Sequence, residues 1–186
     1  AIGYEALTAA TTATATTAIG YKAGKLIVAG DYNTYIGYEC GSANTTSSYS
    51  TSNSNTAIGY MAGRRIGTGG GGDNNVYVGK EAGLSSTTGD NNVAVGSSAL
   101  AEHTTGGNNV ALGFGALYRT GGTTASTSID NIAIGTYALG GDWSDAASSY
   151  NVAIGSSAML GTLNASLYNV AVGYNALFTQ TVGDGN

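Results

Sequence analysis

Apolar residues fall along this chain in short bursts, not in helical stripes. A triplet of small residue, aliphatic residue and glycine recurs ten times, with its glycine at 3, 20, 37, 59, 79, 96, 113, 135, 155 and 173. With that glycine taken as position 0, position −1 is always Ile, Val or Leu, and −2 is Ala except at Tyr35 and Tyr77. Position −3 is Thr at Thr17, Thr34 and Thr56, then Val or Ile; −4 is Asn in eight of the nine copies that reach it. Position +3 is Ala except at Cys40, and +4 is Leu, Met or Gly. Self-similarity with a period of roughly 20 residues is the signature of a solenoid. The segment from −3 to −1 predicts a short strand, its β-branched residues on one face and Ala on the other. The larger side chains are expected to fill the coil, burying the −1 aliphatics and the repeat glycines. The Ala face is then left for a second sheet or a neighbouring chain. A second short strand is expected from +1 to +4. Stacked rungs place identical side chains ~4.8 Å apart. Asn at −4 therefore predicts a ladder of side-chain amides, and the aromatics at +1 (Tyr4, Tyr21, Tyr38, Tyr60, Phe114, Tyr174) predict a partial ring stack.

The spacings between successive glycines are 17, 17, 22, 20, 17, 17, 22, 20 and 18 residues. Four rungs thus make a superrepeat of 76 residues, which divides the single array 1–186 into blocks of about 3–78, 79–154 and a partial 155–186. Both ends of the sequence fall inside the pattern, which is the appearance of a segment of a longer fibre. The expected fold class is all-β: a parallel β-solenoid of about ten rungs of 17–22 residues.

Composition agrees with a periodic structural chain. Charged residues are 9% of the total, there is no proline, and 31 residues are glycine. The net charge is −5 and the few basic residues are scattered, with Arg64 and Arg65 the only adjacent pair. Nucleic-acid binding requires a basic stripe, so no nucleic-acid partner is expected. No apolar run reaches the roughly 18 residues a membrane span requires, so no membrane insertion of this segment is expected. A single cysteine, Cys40, rules out a disulfide framework within the chain.

The stretches Asn-Val-Ala-Ile-Gly-Ser-Ser-Ala-Met at 151–159 and Asn-Thr-Ala-Ile-Gly-Tyr-Met-Ala-Gly at 55–63 resemble two repeat groups. One is the head of trimeric autotransporter adhesins. The other, which is closer in its Tyr at +1 and Leu at +4, is the repeat of phage tail-fibre and bacterial surface proteins. The resemblance covers the whole chain and implies a left-handed parallel β-roll, with three chains on a common axis. Its period of 17–22 residues departs from the adhesin heads.

No residues assemble into a catalytic site, a metal site or a cofactor site. No nucleophile–base pair or paired acids can be identified, so the chain is not expected to be an enzyme. His103, the sole histidine, is expected to be a solvated loop residue, and Cys40 a small core residue replacing Ala. Gly69 to Gly72 lacks the Lys-Ser/Thr of a phosphate loop and reads as a turn. The long connections 42–54, 64–74, 118–130 and 140–150 are expected to protrude in adjacent pairs. Their side chains able to contact a partner or a glycan are Tyr49, Arg64, Arg65, Tyr118, Arg119 and Trp143. Trp143 lies near Asp142 and Asp145, a combination that suits a sugar when exposed; packing against an adjacent loop is the favoured alternative. Asn44 and Asn164 match the N-glycosylation acceptor pattern.

The expected function is that of a structural shaft or adhesive fibre segment in an extracellular filament, at a cell surface or on a virion. Its expected partner is itself, as a homotrimer or filament. The second reading is a glycan-binding module that uses the long loops. An ice-binding rod fits less well, because the loop lengths vary.

Overall fold

The computed structural model describes residues 1–43, 50–119, 127–143, 147–179 and 184–185. Nine three-residue strands form one sheet in sequence order: β1 (Thr17–Ile19), β2 (Thr34–Ile36), β3 (Thr56–Ile58), β4 (Val76–Val78), β5 (Val93–Val95), β6 (Val110–Leu112), β7 (Ile132–Ile134), β8 (Val152–Ile154) and β9 (Val170–Val172). Every neighbouring pair is parallel and in register, −3 opposite −3 and −1 opposite −1, as for Thr56↔Val76 and Ile58↔Val78. Sequential strands that pair in parallel require the chain to make one full turn between them. The fold is therefore a β-solenoid, one rung for each strand. The first motif copy joins this sheet through a single bridge, Ile2↔Ile19. No helix among the described residues is long and apolar enough to cross a membrane.

The facing of the strands is the reverse of the sequence expectation. Position −2 points into the coil: Ala18, Ala57, Ala94, Ala111, Ala133 and Ala153 are fully buried. The −1 aliphatics point out, with Ile58 37% and Ile134 36% exposed, and the repeat glycines between −1 and +1 are only half-buried. The reason is the width of the lumen. Opposite the strands lie Ala (Cys40 in one rung) at +3 and Gly, Leu or Met at +4 of the same coil. Ala99, Leu100, Ala116, Leu117, Ala138, Leu139, Ala158 and Met159 are fully buried with the −2 alanines in one core. A wall that close leaves room for a methyl group, not for a branched side chain.

No second strand forms from +1 to +4. The segment is a turn in which +2 and +4 adopt left-handed backbone, as at Ser98 (φ 57°) and Leu100 (φ 55°). Its amides still bond from rung to rung. At +2, Glu39 N–H donates back to Tyr21 O at 2.8 Å; at +4, Gly41 N–H donates forward to Ala62 O at 2.9 Å. The turn therefore satisfies its backbone without a second sheet. The repeat glycine itself has φ of +126 to +138°. A Cβ on Gly96 would lie 2.5 Å from Gly113 O of the next rung, so conformation and contact both exclude any other residue.

The predicted asparagine ladder runs up the inside. Each Asn N–H donates to Oδ1 of the Asn one rung before, from Asn55 to Asn33 (2.9 Å) through Asn169 to Asn151 (3.0 Å). The amide nitrogens reach forward as well: Asn131 Nδ2 donates to Ser148 O at 3.0 Å. A second ladder at −6, unforeseen, runs in the opposite sense: Asn53 N–H donates to Asp73 Oδ1 and Asp73 N–H to Asp90 Oδ1, both at 2.7 Å.

Candidate functional site

With −2 inside, positions −3, −1 and +1 face outward and line up as three columns. The β3 rung contributes Thr56, Ile58 and Tyr60; β6 contributes Val110, Leu112 and Phe114; β9 contributes Val170, Val172 and Tyr174. Exposed large apolar residues run the full length of this face, from Ile2 and Tyr4 to Val172 and Tyr174. The aromatic column is ordered at one end. Tyr4, Tyr21, Tyr38 and Tyr60 stack with ring centroids 5.4, 5.0 and 5.3 Å apart and nearly parallel planes. Further along, Phe114 meets Tyr137 edge-on instead. Outside the stack, Lys80 is the only charged residue at +1, and positions −3 and −1 carry none.

The long connections give a mixed picture. Tyr49 and Asn44 lie outside the described residues, as do the central parts of three of the four connections. The described part of 42–54 returns to the coil at Ser50 and Ser52, both fully buried. Arg64 is half-buried and its Nε sits 3.1 Å from Glu39 Oε2 of the preceding rung. Arg65 is also half-buried. Asn164 is exposed, followed by Ala165 in left-handed backbone and by a buried Ser166.

Trp143 follows the favoured packed alternative, and His103 departs from expectation. Trp143 is 4% exposed, so its ring packs into the core and is no surface for a sugar; its backbone N–H donates to Arg119 O at 3.1 Å. His103 is fully buried, not solvated. It occupies +7, the position that Ile27 and Ile66 fill in their own rungs, and its Nε2 lies 3.2 Å from Asn109 Nδ2. Burial pushes its pKa down to about 4, favouring neutral imidazole. Cys40 is buried as expected; its thiol donates to Ala57 O at 2.9 Å, and burial pushes its pKa up to about 12.

Tyr118 and Arg119 come together with residues absent from the candidate set. The described rungs β6 to β9 leave a cleft of about 440 Å³ beside their connections, lined by Tyr118, Arg119, Tyr137, Asp142, Thr162 and Phe178 among others. Across it Arg119 Nη1 donates to both carboxylate oxygens of Asp142, at 2.9 and 3.2 Å. Arg64 and Arg65 sit three rungs away and take no part. No group of three or more His, Cys, Asp or Glu able to hold a metal ion occurs among the described residues. The cleft was missed in sequence because its residues come from four different rungs, and only the coil brings them together. No family model, no curated protein and no solved structure matches this chain.

Proposed function

We propose that the chain is a structural shaft segment of an extracellular filament, at a cell surface or on a virion, assembled from parallel copies of itself. The observation that carries the proposal is the outward −3/−1/+1 face. Nine strands at ~4.8 Å spacing, with −3 to +1 spanning about 13 Å, give a flat footprint of roughly 500 Å². The largest contiguous apolar patch of a typical monomer is about 300–600 Å² and is often a contact site. This face, though interrupted at +1 by Lys80, Ser97, Thr136 and Ser156, is of that size. A second copy suits this face better than a foreign partner. Its columns repeat at the spacing they would meet in another copy, and an almost uncharged face spares an acidic chain from self-repulsion. Three copies around one axis, each a left-handed β-roll, would bury all three faces at once and close the assembly. This arrangement agrees with the resemblance in the Asn-x-Ala-Ile-Gly motif. The reading is non-enzymatic, and stiffness is the property it supplies.

Sedimentation equilibrium tests the proposal. The chain is 18.4 kDa, and the native particle is expected at three times that mass. The paired change Ile58→Lys and Ile134→Lys puts two charges on the outward face without touching the core, and is expected to give a folded monomer. A wild-type chain that stays monomeric at micromolar concentration, or a variant that still assembles, removes the support.

A further inference from the structure

The cleft beside β6 to β9 lies on the turns and connections and borders the outward strand face at Tyr137, whose ring meets Phe114 edge-on. Tyr118 and Arg119 follow β6, Tyr137 and Asp142 follow β7, Thr162 follows β8 and Phe178 follows β9. Its volume of about 440 Å³ falls in the range of small-ligand sites, roughly 300–1,000 Å³. Its chemistry is of two kinds. Tyr118, Tyr137 and Phe178 supply partly exposed rings. Arg119 and Asp142 supply an ion pair that remains 52% and 66% exposed, although it is bidentate at one guanidinium nitrogen.

We infer that this cleft binds a neutral saccharide of one or two pyranose rings. An exposed Arg–Asp pair keeps free N–H donors on the guanidinium and free lone pairs on the carboxylate. Vicinal hydroxyls donate and accept at once, so they can engage both members without separating them. The pair carries no net charge. A phosphate or carboxylate ligand would meet Asp142, and a cationic ligand would meet Arg119, so neither sign is favoured. Phe178, 43% exposed, is the ring that can stack on the C–H side of a pyranose. Tyr118 carries the Arg119 guanidinium over its ring and Tyr137 meets Phe114 edge-on, so the tyrosines and Thr162 serve the edge of the sugar through their hydroxyls. Gly140 and Gly141 in the wall leave their backbone close to the space without side chains between.

Trp143 provides a built-in reporter. It is the sole tryptophan, and its backbone is bonded to Arg119, one of the cleft residues. Cellobiose, lactose and chitobiose are titrated into the intact protein, with sialyllactose as the charged comparator, and followed by tryptophan fluorescence and by saturation-transfer NMR. At least one neutral disaccharide is expected to bind saturably. Asp142→Ala and Phe178→Ala are each expected to weaken it about tenfold, the loss of one polar or stacking contact. Both residues are exposed, so circular dichroism and native mass should stay as in the wild type. Tyr60→Ala, in the ring stack of the strand face, should leave binding unchanged. The inference is overturned if no neutral disaccharide binds, if binding survives both cleft variants, or if sialyllactose alone binds.

Discussion

Tyrosine replaces alanine at −2 in two rungs, and it fits a methyl-wide lumen because glycine replaces leucine at +4 around it. The Tyr77 ring lies over Gly83 of its own rung and Gly63 of the rung before; a Cβ on either would come within 2.7 and 3.0 Å of ring carbons. Tyr35 lies in the same way over Gly41 and Gly24. The pairing of Tyr35 with Gly41 and of Tyr77 with Gly83 is visible in the sequence, and it reports that −2 and +4 share one space inside the coil. The preference for placing the largest apolar residues inward hides that signal, because it assigns −1 to the core. Size exchange at this contact gives a prediction. Tyr77→Ala should cost about 4 kcal/mol through the cavity it opens and the loss of its hydrogen bond to Ser86 Oγ (2.7 Å). Gly83→Leu alone should clash with the ring and destabilise by several kcal/mol. Together they should restore the common Ala/Leu pairing. Left-handed backbone is no obstacle, since Leu100 and Leu117 occupy +4 with φ of 55° and 52°. Guanidinium unfolding of all four proteins is expected to show a favourable coupling of about 2 kcal/mol. Additive losses would mean that the two positions do not share space.

At the scale of the element, three-residue strands hold because side chains extend the backbone ladder. The repeat, the parallel register and the asparagine ladder are legible in the sequence, since in-register stacking follows from periodicity alone. The second ladder at −6 is less so: Thr14, Asp31, Asn53, Asp73 and Asp90 share only an ability to accept, and Gly107 interrupts them. The turn at +1 to +4 is not legible at all. Leu and Glu at positions that need positive φ, such as Leu7 and Glu5, carry no local mark of left-handed backbone. The two ladders should differ in worth because they differ in burial. Asn131→Ala leaves the Asn151 N–H and the Ser148 carbonyl, both in buried positions, without their present partners. Two orphaned groups should cost roughly 2–4 kcal/mol. Asp73→Ala frees the Asn53 N–H at a partly exposed site where water can replace the carboxylate, and should cost under about 1 kcal/mol. Thermal unfolding monitored by circular dichroism separates the two cases. Equal losses would show that the inner amide column is no more than a spacer.

The whole molecule is a stack in which each rung touches only its neighbours. Its core is a narrow line, not a globule, and buried polar groups within that line carry weight. His103 is the clearest case. Its loop setting points to solvent, but counting from its own glycine puts it at +7, in line with Ile27 and Ile66. In this rung, as at Ile27, Ile66 and Ser86 and unlike the exposed Asp142 and Thr162, the +7 side chain turns into the coil. The consequence is a pH dependence whose sign can be worked out. In the unfolded chain the imidazole takes up a proton near its ordinary value of 6.5; in the coil it resists protonation down to about 4, chiefly because burial disfavours the charged form. Between those values the unfolded state binds more protons than the folded state. Stability is therefore full above about pH 7 and falls as pH drops towards 4, by at most roughly 3 kcal/mol. Carboxylates whose pKa is lowered by their partners, such as Asp31 bonded to Thr14, also lose their contribution on acidification, but only near and below their ordinary value of 3.8. The window between pH 6.5 and 4.5 thus isolates the histidine. His103→Leu supplies the aliphatic type found at +7 in other rungs and removes the titration. Urea midpoints measured across that window are expected to fall for the wild type and to stay nearly level for the variant. Parallel slopes in the two proteins would place the acid sensitivity elsewhere and show that the His103 site accepts the charged ring.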